Sequence, residues 1–167
     1  FWDLYEDADI PLPDVPALSA DLHDAHSARL LSDFGMLDVR FSDEDIARAR
    51  RAYYGSISYL DQMIGTILET LEATGQADQT AIVFTSDHGE MLGEHGENEH
   101  SYFIYESAIK VPLIVKLPGQ EAALTIPNPV GLVDLVPTIC SLLKINPPVG
   151  IQGMDLTPML RGRIPEG

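Results

Sequence analysis

The sequence predicts an α/β domain, a largely parallel sheet flanked by helices, incomplete within these 167 residues. Three observations carry that reading. A long stretch at 43–74 has the helical period, two short apolar runs at 80–85 and 111–116 have the composition of strands, and a second helical stretch follows at 134–144. The order helix, strand, loop, strand, helix is that of an α/β layer. Two core strands are too few for a sheet of the usual size, so further strands are expected from residues preceding Phe1.

Residues 1–41 read as irregular. Prolines at 11, 13 and 16 forbid a helix there and favour extended or turn structure. So long a segment without secondary structure is expected to wrap over another part of the protein. The remainder, 42–167, carries the helices and strands of the α/β layer.

The long helix starts at a capping box, with Ser42 as N-cap and Asp45 at the third helical position. Asp43, Glu44 and Asp45 suit the positive end of the helix dipole. Apolar residues at 46, 49, 53, 57, 60, 64, 67, 68 and 71 mark one buried face. Gly75 is a natural stop, and Gly55 and Gly65 are weak points within. Tyr53, Tyr54 and Tyr59 read as packing residues.

The run from Thr80 to Thr85 reads as a strand buried on both faces, as in a parallel sheet. Val111 to Lys116 is a second, its Pro112 tolerated near the start. Leu117-Pro118-Gly119 ends it, and a short strand is expected at 123–126 within the next loop. In the helix at 134–144, Asp134 is the expected N-cap and Pro137 lies in the first turn. The Pro- and Gly-rich tail from 145 onward reads as loop.

Charge is lopsided, with 26 acidic against 10 basic residues and a net charge of −16. Such a surface repels nucleic acid and anionic membranes. An anionic substrate needs local compensation, and a bound cation is the obvious source. The single cysteine, Cys140, cannot form an internal disulfide, and its apolar surroundings mark it as a buried helix residue. No stretch approaches the ~20 apolar residues that span a bilayer. Nothing in the sequence assigns a compartment.

In open α/β sheets, ligands bind beyond the carboxyl ends of the strands. The first strand runs directly into Ser86-Asp87-His88-Gly89-Glu90. Asp87 supplies a hard oxygen ligand and His88 a borderline nitrogen ligand for a metal ion, and further ligands must come from elsewhere. The alternative is a polar loop with no ligand. Residues 89–100 add three glycines, four glutamates and two histidines. Their polar groups must be solvated, paired or ligating. His100 follows His88 by twelve residues and can return to the site from a loop. There it is a candidate substrate-binding and catalytic residue, holding a tetrahedral anion or protonating a leaving oxygen.

The run from Ile82 to Gly96, IVFTSDHGEMLGEHG, resembles the C-terminal metal motif of sulfatases in the alkaline phosphatase superfamily. Tyr105 to Val115 resembles the strand entry that follows it. Gly131 to Thr138 resembles the family's downstream helix, and Gln152 to Leu156 its closing segment. The match spans residues 43–162 in the family's order. Trp2-Asp3-Leu4-Tyr5, Asp9 to Pro13 and His26 to Arg29 look similar to the linker of choline-sulfatase-type members, which implies a small sulfate ester. His23 and His26 otherwise read as residues of a solvated loop.

The resemblance implies an alkaline-phosphatase-like fold, of which 42–167 is the C-terminal part of a sulfatase-type α/β catalytic domain, and metal-dependent hydrolysis of a sulfate ester. Asp87 and His88 become the second pair of ligands to one divalent metal ion, where many members carry Asn in place of His88. His100 falls where members place a Lys or His against the sulfate or phosphate. The family implies calcium, whereas the His88 nitrogen favours manganese or zinc. Sulfatases convert a Cys or Ser within Cys/Ser-x-Pro-x-Arg to formylglycine. Cys140 is followed by Ser141-Leu142-Leu143 and does not match. The nucleophile and the first acidic ligands are expected on an N-terminal portion outside this chain, without which these residues should not turn over substrate.

Two rivals remain at this level. One is a phosphodiesterase, phosphonate hydrolase or phosphoethanolamine transferase on the same fold. The other is a non-catalytic α/β interaction domain whose Asp-His pair is a solvated loop. Lys110, at a strand entry, reads as a surface residue rather than an anion contact.

Overall fold

A computed structural model describes residues 1–97, 100, 103–120 and 122–163. The elements are α1 (Ala25–Asp33), α2 (Asp43–Ala73), β1 (Ile82–Thr85), α3 (Glu106–Ile109), β2 (Leu113–Lys116), α4 (Leu135–Leu143) and α5 (Thr157–Leu160), with short 3-10 turns between them. β1 and β2 pair in a two-stranded sheet. The residues group into two compact units, Phe1–Asp78 with Phe84–Leu113, and Gln79–Val83 with Ile114–Gly167.

The first unit is built on α2. Its start follows the sequence signal: the Ser42 hydroxyl accepts the Asp45 N–H at 3.1 Å. Its end follows too, with Gly75 left-handed at φ 68°. A 3-10 turn at Trp2–Tyr5 lies along α2. Tyr5 and Ser58 share a hydroxyl hydrogen bond of 2.7 Å, and the Tyr5 and Tyr54 rings lie 5.5 Å apart. Phe1 meets Tyr59 edge-on at 5.5 Å. Arg51 covers the Trp2 ring at 4.3 Å. Gly55 is the buried residue of α2 because the backbone of Phe1 and Trp2 passes 3.4 Å from where its Cβ would stand.

Several expectations are corrected here. The segment 1–41 is not irregular throughout, since α1 occupies Ala25–Asp33. Asp24 starts this helix by accepting the N–H groups of His26 and Ser27 and the Ser27 hydroxyl. The prolines end before Asp24, so their veto does not reach it. His26 accordingly lies on a helix rather than a loop. The apolar face expected to be buried along α2 is open over its C-terminal half, with Ile57, Leu60 and Ile67 each about half exposed or more. The strands are not buried on both faces either: Phe84 is 41% and Ile114 62% exposed. A two-stranded sheet is too small to be layered over completely.

In the second unit, α4 carries buried Thr138 and Cys140, the latter a free thiol. No strand forms at 123–126, a short stretch that runs directly into Pro127. Asp134 does not cap α4 with its side chain as expected. Its Oδ2 accepts the Gly131 N–H at 2.8 Å and its Oδ1 the Met154 N–H at 2.7 Å. It thereby ties the turn before α4 to the segment after it. Gly153 makes this approach possible, because a Cβ there would meet the Val133 carbonyl oxygen at 2.3 Å. The tail, read as loop, also contains the short α5. Among the described residues, no helix is long and apolar enough to cross a membrane.

Candidate functional site

The chain leaves β1 at Thr85, and the next four residues fold tightly on themselves. The Ser86 hydroxyl donates to the His88 carbonyl at 2.7 Å. The His88 N–H donates to Asp87 Oδ1 at 2.9 Å. That N–H, followed by the positive charge available on the His88 ring, holds the Asp87 carboxyl below its ordinary value. The Asp87 side chain is 86% exposed, so it stands ionised with its oxygens available.

His88 Nδ1 lies 2.8 Å from the Gly89 carbonyl oxygen. A carbonyl only accepts, so Nδ1 donates to it, and in the neutral form of the ring the lone pair is on Nε2. This nitrogen lies 3.7 Å from Asp87 Oδ2. A carboxylate oxygen and the second imidazole nitrogen thus lie side by side. A backbone acceptor on the other ring nitrogen is the usual support of a metal-ligating histidine. The donor set fits half of a divalent site. Among the described residues no third His, Cys, Asp or Glu joins the pair to form a metal-binding group.

Gly89 follows for a steric reason. Its N–H donates to the Ala108 carbonyl at 2.7 Å, and any Cβ there would meet the Ser107 carbonyl oxygen at 1.9 Å. Gly89 therefore seals the site loop against α3.

His100 lies against His88. Its ring stacks on that of His88, centroids 4.2 Å apart and 15° from parallel. Its Nδ1 lies 2.8 Å from Glu90 Oε2. The carboxylate accepts from Nδ1 and leaves Nε2 as the outward nitrogen. Glu90 is the residue that sequence reasoning missed as a partner. Its place two positions after His88 was visible, but its pairing with His100 was not.

The loop between these residues is anchored below by Met91, which is 2% exposed. His95 stacks on Tyr105 at 3.8 Å. Burial pushes the Glu97 carboxyl up, and burial with the negative charges of Glu97 and Asp24 pushes up the Tyr105 phenol. Asn98, Glu99 and Tyr102, part of the polar cluster and its apolar flank, lie outside the described residues. Lys110 pairs with Glu106 at 3.6 Å on the surface, as expected.

The Sulfatase family profile matches residues 10–145. The choline-sulfatase of Rhizobium meliloti (strain 1021) is 38% identical over 97% of this chain and 32% of its own length. Arylsulfatase K of Danio rerio is 32% identical over 72% of this chain and 23% of its own. Among solved structures, the phosphonate monoester hydrolase from Silicibacter pomeroyi superposes with a TM-score of 0.77 at 31% identity, covering 98% of this chain and 34% of that one. The chain therefore spans about a third of the length of the Rhizobium and Silicibacter proteins. The expected alkaline-phosphatase-like α/β class holds, and this chain is an incomplete part of it. Profile, identity and fold converge on one conclusion: this chain belongs to the sulfatase family.

Proposed function

We propose that this chain supplies half of the metal site and one anion-binding residue of a sulfuric ester hydrolase acting on a small sulfate ester. The observation that carries the reading is the Asp87 carboxylate beside Nε2 of His88, whose Nδ1 is engaged by the Gly89 carbonyl, with the His100 ring stacked against that histidine. Similarity to a choline-sulfatase at 38% identity supports the ester class. One divalent cation, calcium by family resemblance, would be held by Asp87 and His88 with ligands from outside this chain. Held there, such a cation would supply Lewis-acid charge to the anionic oxygens of the ester.

The residues of this chain divide the remaining work. Asp87 offers a charged oxygen, kept ionised by the His88 N–H. His88 offers Nε2, its ring fixed by the Gly89 carbonyl. Glu90 holds His100 by Nδ1, so that Nε2 points at the substrate. When protonated, that nitrogen neutralises an ester oxygen and donates a proton to the alcohol oxygen as the sulfur–oxygen bond breaks. The attacking group, a formylglycine, is assigned to a part of the polypeptide outside these residues. On that reading the isolated chain is inactive.

Elemental analysis of the full-length protein tests this. One equivalent of divalent metal and hydrolysis of an aryl sulfate are expected, with both lost in Asp87→Ala. A variant that keeps metal and rate sinks the reading. A second reading, phosphonate ester hydrolysis, has the structural likeness to the Silicibacter enzyme in its favour. Faster cleavage of a phosphonate monoester than of the aryl sulfate would select it.

A further inference from the structure

The loop that joins Asp87 and His88 to His100 is held by a contact with residues that carry no chemistry. Glu94, at the middle of that loop, accepts two consecutive backbone N–H groups from the proline-rich segment. Asp14 N–H donates to Oε1 and Val15 N–H to Oε2, each at 3.0 Å. The next residue repeats the link in reverse, since His95 N–H donates to the Val15 carbonyl at 2.8 Å. Gly93 and Gly96 lack the Cβ that would exclude the segment. One at Gly93 would lie 2.9 Å from Pro13 Cγ, and one at Gly96 2.5 Å from Ala17 Cβ.

The loop at this seam is not in a relaxed conformation. Leu92 and His95 have φ of 47° and 59°, left-handed values that residues with a Cβ disfavour. Such backbone persists where surrounding contacts over-determine it. Here they are the seam, the Arg50 Nη1 bond to the Leu92 carbonyl at 3.3 Å, and the His95 stack on Tyr105. A solvated surface glutamate is the plain alternative for Glu94. It does not account for both carboxylate oxygens being matched to neighbouring N–H groups about eighty residues away.

We propose that Glu94 is a positioning residue: its carboxylate latches residues 13–17 to the loop at 92–96 and so fixes where His100 stands relative to Asp87 and His88. The inference rests on the site reading above and extends it to a residue that touches neither metal nor substrate. Asp87 and His88 follow β1 directly and are fixed by their own hydrogen bonds. His100 follows the left-handed turns in the chain; it has its bond to Glu90 and its stack on His88, and the latch adds a further restraint on its position.

The test compares full-length wild type with Glu94→Ala and Val15→Pro, well below their unfolding temperatures. Val15→Pro removes one donated N–H from the far side of the seam. The readouts are kcat and KM for whichever ester the wild type hydrolyses, sulfate or phosphonate, and calcium or manganese affinity by titration. In both variants kcat should fall about tenfold or more, in the range seen when outer supports of a site are lost, while metal affinity stays within about twofold. Glu94→Gln, which keeps one acceptor oxygen, should retain an intermediate kcat, and it carries the comparison if Glu94→Ala does not fold. A lowered unfolding temperature with unchanged kcat overturns the latch, as does an equal loss of metal affinity and kcat. A wild type that turns over neither ester overturns the latch and the site reading together.

Discussion

Replacing Gly89 by alanine is the most direct challenge to the site geometry. The added Cβ would stand 1.9 Å from the Ser107 carbonyl oxygen, which belongs to the backbone of α3 and cannot rotate aside. Reaching even 3.0 Å requires a separation of about 1.1 Å between loop and helix. Movement of that size along the 2.7 Å bond from Gly89 N–H to the Ala108 carbonyl stretches it to about 3.8 Å, too long to count as a hydrogen bond. The lost bond costs about 1 kcal/mol and the overpacking about 1–3 kcal/mol, so about 2–4 kcal/mol of stability should go. A displacement near 1 Å next to His88 should also lower kcat/KM roughly 100-fold. Steady-state kinetics on the full-length enzyme, with thermal unfolding of the same sample, read both quantities. If Gly89→Ala matches wild type within twofold in rate and melts at the same temperature, the loop is not sealed against α3 and the argument fails.

Three further outcomes are expected. Asp134→Ala strips two N–H groups of a buried carboxylate acceptor and should cost about 3–5 kcal/mol in denaturant unfolding; Asp134→Asn, keeping one acceptor, should cost less. Gly65→Ala has the opposite sign, because nothing lies within 4 Å of the added methyl and alanine favours a helix interior by about 0.5–1 kcal/mol; a lower melting temperature would show that this face of α2 is occupied. Asp24 has its carboxyl lowered, first by the Ser27 hydroxyl and then by the N–H groups of Ser27 and His26. A lowered folded value means its support of α1 is present above the ordinary value of 3.8 and is lost as pH falls through the folded value. Amide exchange across Ala25–Asp33 should quicken in that acid range, and Asp24→Ala should remove the pH dependence.

What the sequence displayed were the terms that act over a few residues. Ser42 with Asp45, and Gly75 after the last periodic position, marked both ends of α2 because caps are local. Asp87 and His88 were visible as a pair because they are adjacent and follow a strand. Helix α1 escaped attention because its cap, Asp24, is followed by no acidic third position to complete a capping box. The role of Asp134 was misjudged for a related reason. Its position before a helix suggests a cap, but one of its partners, Met154, is twenty residues away. The grip of Glu94 on Asp14 and Val15 was invisible, since a glutamate in a glycine-rich loop looks the same whether it meets water or a distant backbone. Strand burial was overestimated because composition reports what a run of residues can bury, not whether a layer lies over it.

The seam between Glu94 and the segment around Val15 also bears on how this polypeptide is made. Its partners are separated by 79 and 80 residues, and closing a loop of that length costs about 4 kcal/mol in chain entropy. Synthesis at about 5–20 residues per second leaves the proline-rich segment waiting about 4–16 s for its acceptor to be added. Helix α2, whose backbone hydrogen bonds are local, forms in microseconds by comparison. The loop around Glu94 is thus among the last parts of this unit to reach its final shape, and the nascent segment around Leu12 and Val15 spends those seconds uncovered.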